Sequence, residues 1–192
     1  AIHEPKGKPH VAFWLLSVAV VFGSLGNNMY TSSLALYTIK ELHLPHYTPG
    51  LLMGLVASLE IPVMMWSTRL GNRIGLAQVM FCSFVFGLVF YAGAYIASEL
   101  WQLILLQLLN ALFYGFFAGV GLTLLQQQLP NRIGFTSAVY SNAFKIGVML
   151  GTSGMGLVAQ FFDFRSALLG AMVASILGGA CLLAFCKTRT NT

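Results

Sequence analysis

Apolar and polar positions are arranged along this chain in long blocks, not residue by residue. Each apolar block is close to the ~20 residues that an α-helix needs to cross ~30 Å of hydrocarbon. Strands of a membrane β-barrel would be about ten residues long, with apolar and polar side chains alternating. The blocks are residues 11–38, 49–68, 76–97, 101–126, 135–161 and 166–186. The pattern therefore predicts an all-α membrane protein with six transmembrane helices.

Composition supports a membrane location. Of the 192 residues, 57% are hydrophobic and only 8% are charged, whereas about 25% of the residues of a soluble domain are charged. A soluble domain this short has too little interior to hide so much apolar surface. A soluble enzyme, a secreted disulfide scaffold and a disordered tail are thereby excluded. Residues 1–10 are polar and lead straight into a full-length span, unlike a signal peptide.

The charges predict how the helices are oriented. Residues 1–10, 69–75, 127–134 and 187–192 fall on one side of the six-helix arrangement and carry seven basic residues against one acid. The opposite connectors carry two basic residues and three acids. The seven are Lys6, Lys8, Arg69, Arg73, Arg132, Lys187 and Arg189. By the positive-inside rule both termini lie in the cytoplasm, with 1–10 as a linker and 187–192 as a tail. Topology thus explains the net charge of +5, and no nucleic-acid partner is expected.

Small residues predict a closely packed bundle. Glycines four residues apart let the backbones of two membrane helices approach each other. Three such pairs occur, namely Gly50/Gly54, Gly115/Gly119 and Gly147/Gly151.

Cysteine and histidine placement predicts neither a metal nor a cofactor. Cys82, Cys181 and Cys186 lie inside apolar blocks without a CxxC partner and are interpreted as small buried hydrophobes. His43 and His46 have a loose ligand spacing, but no cysteine or carboxylate cluster completes a site.

Two ionisable residues are placed near the middle of the membrane. Glu60 lies about 16 Å into the second segment from Pro49, and Lys145 about 15 Å into the fifth from Phe135, at ~1.5 Å per residue. Inserting a charged side chain at the membrane centre costs about 2.5–3.5 kcal/mol, so a structural or functional role is expected for each of the two residues. The two either form a pair, which could be purely structural, or belong to one hydrated cavity. Pro62 removes one hydrogen bond of the helix beside Glu60 and favours a kink.

Amide and aromatic side chains occur at a similar depth in the first, fourth and fifth segments. Gln107, Asn110 and Tyr114 follow an i, i+3, i+7 spacing and therefore share one helix face. Such amides either hydrogen-bond neighbouring helices or line a cavity. The third and sixth segments are almost purely apolar, as expected of helices that shield such a cavity. The candidate substrate-binding residues are Asn27, Asn28, Tyr30, Gln107, Asn110, Tyr114 and Asn142.

Several short stretches resemble the sugar efflux transporter family of the major facilitator superfamily. The resemblance runs from about residue 11 to 186 and matches the second half of a twelve-helix transporter. The stretches are Asn27-Asn28-Met29-Tyr30, Gly50-Leu-Leu-Met-Gly54, Leu59-Glu60-Ile61-Pro62, Leu106-Gln107-Leu108-Leu109-Asn110-Ala111 and Tyr140-Ser141-Asn142.

The resemblance implies export of sugars or glycosides across the bacterial inner membrane, driven by proton entry. Glu60 would carry the coupling proton and Lys145 would modulate it. The start of the chain looks like the central cytoplasmic loop of such a transporter. The chain would then need a second six-helix half, either covalently joined or as a subunit, with the lipid bilayer around both.

Some positions depart from the family pattern. The connector Leu70–Gly75 looks like a degenerate copy of the superfamily's Asp-Arg-x-Gly signature, in which Asn72 precedes Arg73. The gating role of that loop is in doubt because Asn72 replaces an acid. Ser33 and Gln127 also stand where the family has acids, which leaves Glu60 as the midplane carboxylate of this half.

Two other functions remain open. A multidrug/proton antiporter of the same superfamily would have a more apolar cavity. A non-transporting membrane scaffold would not need Glu60 and Lys145 at equal depth. An intramembrane enzyme is disfavoured, since the sequence has no HExxH, GxSxG or intramembrane Asp pair.

Overall fold

The computed structural model describes residues 11–190. The predicted linker 1–10 and the last two residues of the predicted tail lie outside the described residues. Six long helices and no strand occupy the described part, which confirms the predicted all-α class. They are α1 (Val11–Leu36), α2 (Thr48–Ile74), α3 (Leu76–Ile96), α4 (Leu100–Gln126), α5 (Ile133–Phe161) and α6 (Ser166–Thr190). A π-helical turn, Tyr37–Glu41, continues α1.

Five of these helices are long and apolar enough to cross a membrane: α1 with its π-helical turn, α2, α3, α4 and α6. The helix α5 is 29 residues long but is not among the five. It carries the polar side chains of Ser141, Asn142 and Lys145.

Local sequence explains where helices begin and end. Pro49 lies in the first turn of α2, where its missing N–H costs nothing. Glu99 and Gln102 form a reciprocal capping box at the start of α4. Gly75 joins α2 to α3 with a φ of +100°, a conformation that glycine adopts without the penalty of a Cβ. The helix α2 passes through Pro62 without interruption.

The bundle is organised around α1 and α4. The helix α1 packs along α5 and α6, while α4 packs along α2 and α3, and α3 also contacts α6. Buried aromatic side chains of α3 and α4, such as Phe90, Tyr91, Phe113 and Phe117, fill the core between these helices. The helices α2 and α5 bury few of their own residues, so one side of each remains open.

Two of the three glycine pairs bring helix backbones together as predicted. A Cβ built on Gly147 would overlap the Val21 carbonyl oxygen of α1, and one built on Gly151 would lie 3.0 Å from Asn28 Cβ. Cβ atoms on Gly115 and Gly119 would lie 3.4 Å and 3.2 Å from carbonyl oxygens of α2. In contrast, Gly50 and Gly54 have no neighbour within 4 Å. That pair therefore makes no close helix contact within the described chain.

Apart from Glu60 and Lys145, the charged side chains of the described residues lie towards the two ends of the bundle. Arg69, Arg73, Arg132 and Lys187 lie at or near the ends of α2 and α6 and the start of α5, and this end is called the basic end below. At the opposite end, the Arg165 backbone N–H donates to both carboxylate oxygens of Glu41 at 3.1 Å. The Arg165 guanidinium donates to the Ala97 carbonyl at 3.1 Å and lies over the Tyr37 and Tyr95 rings. This network joins α1, the α3–α4 connector and the start of α6.

Candidate functional site

A chain of hydrogen bonds connects three of the predicted polar residues across two helices. The Asn110 amide donates to Gln107 Oε1 at 3.0 Å, and the Gln107 amide donates to the Tyr30 hydroxyl at 3.0 Å. Gln107 and Asn110 lie on the same face of α4, as their spacing predicts, whereas Tyr30 comes from α1. We call these three residues the amide chain.

The amide chain lies inside the bundle. Gln107 is fully buried, Tyr30 is 2% exposed and Asn110 is 3% exposed. The Tyr30 ring also packs edge-on against Phe90 of α3, with centroids 4.9 Å apart. Asn110 Oδ1 has no hydrogen-bond partner among the described residues. One acceptor at the end of the chain is therefore left for a donor such as a hydroxyl.

The two asparagines of α1, Asn27 and Asn28, precede Tyr30 by three and two residues and are both half-buried. The Asn28 amide donates to the Ser24 carbonyl at 2.9 Å, and the Asn28 Cβ lies against α5 at Gly151. Because Ser24 Oγ donates to the Phe144 carbonyl of α5 at 3.0 Å, this stretch of α1 is fastened to α5.

Glu60 is on the contact between α2 and α4. A Cβ built on Gly115 would lie 3.4 Å from the Glu60 carbonyl oxygen and would overlap the Val63 side chain. The Glu60 backbone therefore passes close to α4 at the residue after Tyr114. Both Glu60 and Tyr114 are half-buried, so the carboxylate and the phenol share one partly open region of the bundle.

Lys145 lies on the exposed side of α5. The residue before it, Phe144, is hydrogen-bonded to α1, whereas Glu60 is held against α4. The helices α2 and α5 have no extensive contact with each other, and no ion pair joins Glu60 and Lys145 within residues 11–188. A direct pair is thus not formed in this structure. That the two residues belong to one hydrated cavity stays a prediction.

An open groove of about 340 Å³ runs between α1 and α5. Asn142 and the half-exposed Trp14 are among the residues that line this groove. The remaining lining is mostly aliphatic: Ser17, Val18, Val21, Val139, Ala143 and Ile146. A groove lined by a tryptophan, an asparagine and aliphatic side chains suits a ligand with both apolar C–H surface and a few hydroxyls.

Sequence reasoning missed Trp14 as a candidate site residue. Its position at the start of the first span is typical of the aromatic belt at a membrane interface, which gives no signal for a role in binding. Tyr140 belongs to one of the short family-like motifs, and its ring lies 3.2 Å from a Cβ built on Gly121 of α4. That contact places an aromatic side chain of α5 against α4, close to the predicted polar positions.

The connector residues Asn72 and Arg73 are exposed at the basic end. They occupy the last turn of α2 just before the corner at Gly75. The gating role of this loop stays a prediction. Among the described residues no three His, Cys, Asp or Glu side chains come together as metal ligands.

The family profile and the individual proteins that this chain resembles all belong to one group of membrane transporters. The profile of the Major Facilitator Superfamily matches residues 16–191. Sugar efflux transporter A of Dickeya chrysanthemi is 34% identical over 80% of this chain and 39% of that protein. Sugar efflux transporter B of Salmonella typhimurium is 33% identical over 81% of this chain and 40% of that protein. Sugar efflux transporter C of Escherichia coli is 32% identical over 73% and 36%.

The chain spans about two fifths of the length of these curated relatives. The similarities confirm the resemblance that the short motifs predict.

Proposed function

Because this chain belongs to the major facilitator superfamily, we propose that it forms one six-helix half of a secondary active transporter. The transporter exports sugars or glycosides across a bacterial inner membrane in exchange for protons. The observation that carries the proposal is the similarity to three proteins that are named sugar efflux transporters. The roles of individual residues in substrate recognition and proton coupling are assigned from the arrangement of their side chains.

Substrate recognition is assigned to the groove between α1 and α5. A sugar ring offers an apolar face of C–H groups and a rim of hydroxyls. The Trp14 indole supports the apolar face, and the Asn142 amide both donates to and accepts from hydroxyls. The aliphatic walls of the groove suit a substituent on the sugar, which favours glycosides.

The amide chain is assigned a role deeper in the bundle. Asn110 Oδ1 accepts a sugar hydroxyl when the helices around it open, and Gln107 with Tyr30 fixes the orientation of that amide. A site built to hydrogen-bond hydroxyls discriminates strongly, because a ligand without them leaves buried amides unpaired. Asn27 and Asn28 of α1 and Tyr114 of α4 complete the proposed set of substrate-binding residues.

Proton coupling is assigned to Glu60, with Lys145 as its modulator. Glu60 is fastened to α4 and Lys145 is carried by α5, so relative motion of these helices changes the distance between the two charges. A nearby ammonium favours the ionised carboxylate, and its withdrawal favours uptake of a proton. Rocking of helix groups in alternating access supplies such a motion.

Substrate binding is tested by efflux of radiolabelled methyl glucoside from preloaded cells that produce the complete transporter. Asn142→Ala should slow efflux at least tenfold without lowering protein abundance, because the groove loses its amide. Asn131→Ala removes an exposed asparagine of the α4–α5 connector and should leave efflux unchanged. Equal rates for the Asn142→Ala variant and the unaltered protein would contradict the assignment.

Coupling is tested in proteoliposomes with an imposed pH gradient. Glu60→Gln mimics the protonated state, so this variant should still bind sugar but should lose the pH dependence of efflux. The double variant Glu60→Gln with Lys145→Met should remain folded and uncoupled. Recovery of proton-driven efflux in the double variant would show that the two charges only balance each other.

The aliphatic lining of the groove also supports a multidrug/proton antiporter as the alternative function. Export of lipophilic cations, unaffected by Asn142→Ala and without any sugar efflux, would favour that alternative.

A further inference from the structure

A second groove opens on the side of the bundle away from α2 and α5. It lies between α3 and α6 and has a volume of about 280 Å³. Its lining is almost entirely apolar and extends over about two turns of each helix. The residues are Phe81, Phe84, Val85 and Leu88 of α3 with Ser175, Ile176, Gly179, Ala180 and Leu183 of α6.

The groove exists because small residues of α6 face large residues of α3. A Cβ built on Gly179 would lie 3.7 Å from Phe84 Cβ and 3.9 Å from the Phe81 ring, which is ordinary van der Waals contact. A larger side chain at Gly179 would thus extend into the groove without moving the backbone. Because the lining residues follow both helix axes, the groove fits an extended hydrocarbon chain better than a compact ring.

Polar groups continue both walls of the groove towards the basic end. Ile176, Ala180 and Leu183 are spaced as one helical stripe on α6, and Lys187 is the next position of that stripe. It is about 6 Å beyond Leu183 at ~1.5 Å per residue, and it is exposed. On α3, the exposed amide of Gln78 precedes Phe81 by three residues and occupies the same stripe as Phe81 and Val85.

An apolar groove with an ammonium and an amide near one end matches the chemistry of a phospholipid, which has an apolar acyl chain and a polar headgroup. We propose that the groove between α3 and α6 binds one anionic phospholipid, with an acyl chain along Gly179 and the phosphate at Lys187 and Gln78. The leaflet that meets the basic end would supply the lipid, since basic residues at a membrane surface attract anionic headgroups. This site is independent of the proposed transport function, because it lies on helices without a predicted substrate-binding residue.

The proposal is tested by native mass spectrometry of the complete protein in detergent, titrated with phosphatidylglycerol or with phosphatidylcholine of the same acyl chains. Phosphatidylglycerol should bind the unaltered protein about fivefold more tightly, as one basic residue contributes about 1 kcal/mol. Lys187→Gln should abolish that preference, whereas Arg69→Gln, which removes an exposed charge of α2 at the same end, should retain it.

The acyl-chain part of the site has its own test. Gly179→Leu fills the groove and should lower the binding of both lipids at least tenfold. Leu177→Phe enlarges an exposed apolar residue of α6 that is about 100° around the helix from Ile176 and is not part of the groove lining, and it should have no effect. Ala180→Phe fills the same groove and replaces Gly179→Leu if that variant does not fold. Equal binding of the two lipids to the unaltered protein, or undiminished binding to the filled variants, would overturn the proposal. Neither result depends on whether the protein exports sugars.

Discussion

The close approach of α5 to α1 at Gly147 predicts that adding a single methyl group there, as in Gly147→Ala, destabilises the protein. A Cβ on Gly147 would overlap the Val21 carbonyl oxygen and would lie 2.6 Å from Ser24 Cβ. Carbon atoms prefer separations of about 3.5–4.0 Å, so α5 would have to move away from α1 by about 1 Å. Neither obstacle can rotate aside, since one is backbone and the other is the first atom of a side chain.

The expected cost of Gly147→Ala follows from that displacement. Overpacking a closely packed contact costs about 1–3 kcal/mol. The hydrogen bond from Ser24 Oγ to the Phe144 carbonyl would be stretched as well, and such interhelical bonds contribute about 0.6 kcal/mol on average in membranes. Since any Gly→Ala change inside a helix also gains about 0.5–1 kcal/mol of helix propensity, we expect Gly147→Ala to lower the free energy of unfolding by about 1–3 kcal/mol.

The matched control is another glycine of the same helix. Gly156 has no neighbour within 4 Å, so Gly156→Ala should gain helix propensity of about 0.5–1 kcal/mol. Steric trapping of the complete protein in bicelles measures both changes, and the two variants should differ in sign. A Gly147→Ala variant as stable as Gly156→Ala would refute the close contact and the packing of α5 on α1.

Three further predictions concern orientation, the amide chain and the network opposite the basic end. Cysteine labelling at positions Glu99 and Arg132 should find these positions on opposite faces of the membrane. Gln107→Leu should lower the free energy of unfolding by about 1–3 kcal/mol, because a buried amide loses its partner, as thermal denaturation in detergent would show. Arg165→Gln should raise the rate of proteolysis at that end of the bundle several-fold, because the guanidinium contacts with the Ala97 carbonyl and the Tyr37 and Tyr95 rings are lost.

Each of the three has its own control. Labelling of both cysteines from one side would contradict the orientation that the basic residues predict. Gln160→Leu changes an exposed glutamine of α5 and should leave the melting temperature nearly unchanged. Lys40→Gln removes a neighbouring charge whose ammonium lies 5.9 Å from the centroid of the Phe164 ring. The proteolysis rate of this control variant should stay close to that of the unaltered protein.

The helices could be predicted from sequence because hydrocarbon imposes a length and a composition on whatever crosses it. Where helices leave the apolar blocks, hydropathy gives no signal. The helix α2 continues through Arg69 and Arg73 to Ile74, since polar side chains at a membrane surface can still form helical turns. In the same way α6 reaches Thr190, into the residues predicted as a tail.

The candidate site was less accessible to sequence reasoning. Helical spacing correctly places Gln107 and Asn110 on one face, but it does not say which neighbour that face meets. The hydrogen bond to Tyr30 joins residues 77 positions apart, so it depends on how α1 packs against α4. The groove at Trp14 depends in turn on how α1 packs against α5, which no local pattern encodes.

The contacts on α1 and α4 bear on the proposed coupling between Glu60 and Lys145. Gly147 and Gly151 fasten α5, with Lys145, to α1, while Gly115 and Gly119 fasten α2, with Glu60, to α4. The two charged residues are thus carried by different helix pairs, and their separation changes when one pair moves against the other. The hydrogen bond from Gln107 to Tyr30 joins α4 to α1 and so lies at the joint between these pairs. A ligand that draws the Asn110 amide towards itself acts on that joint directly, which would link sugar binding to the distance between Glu60 and Lys145.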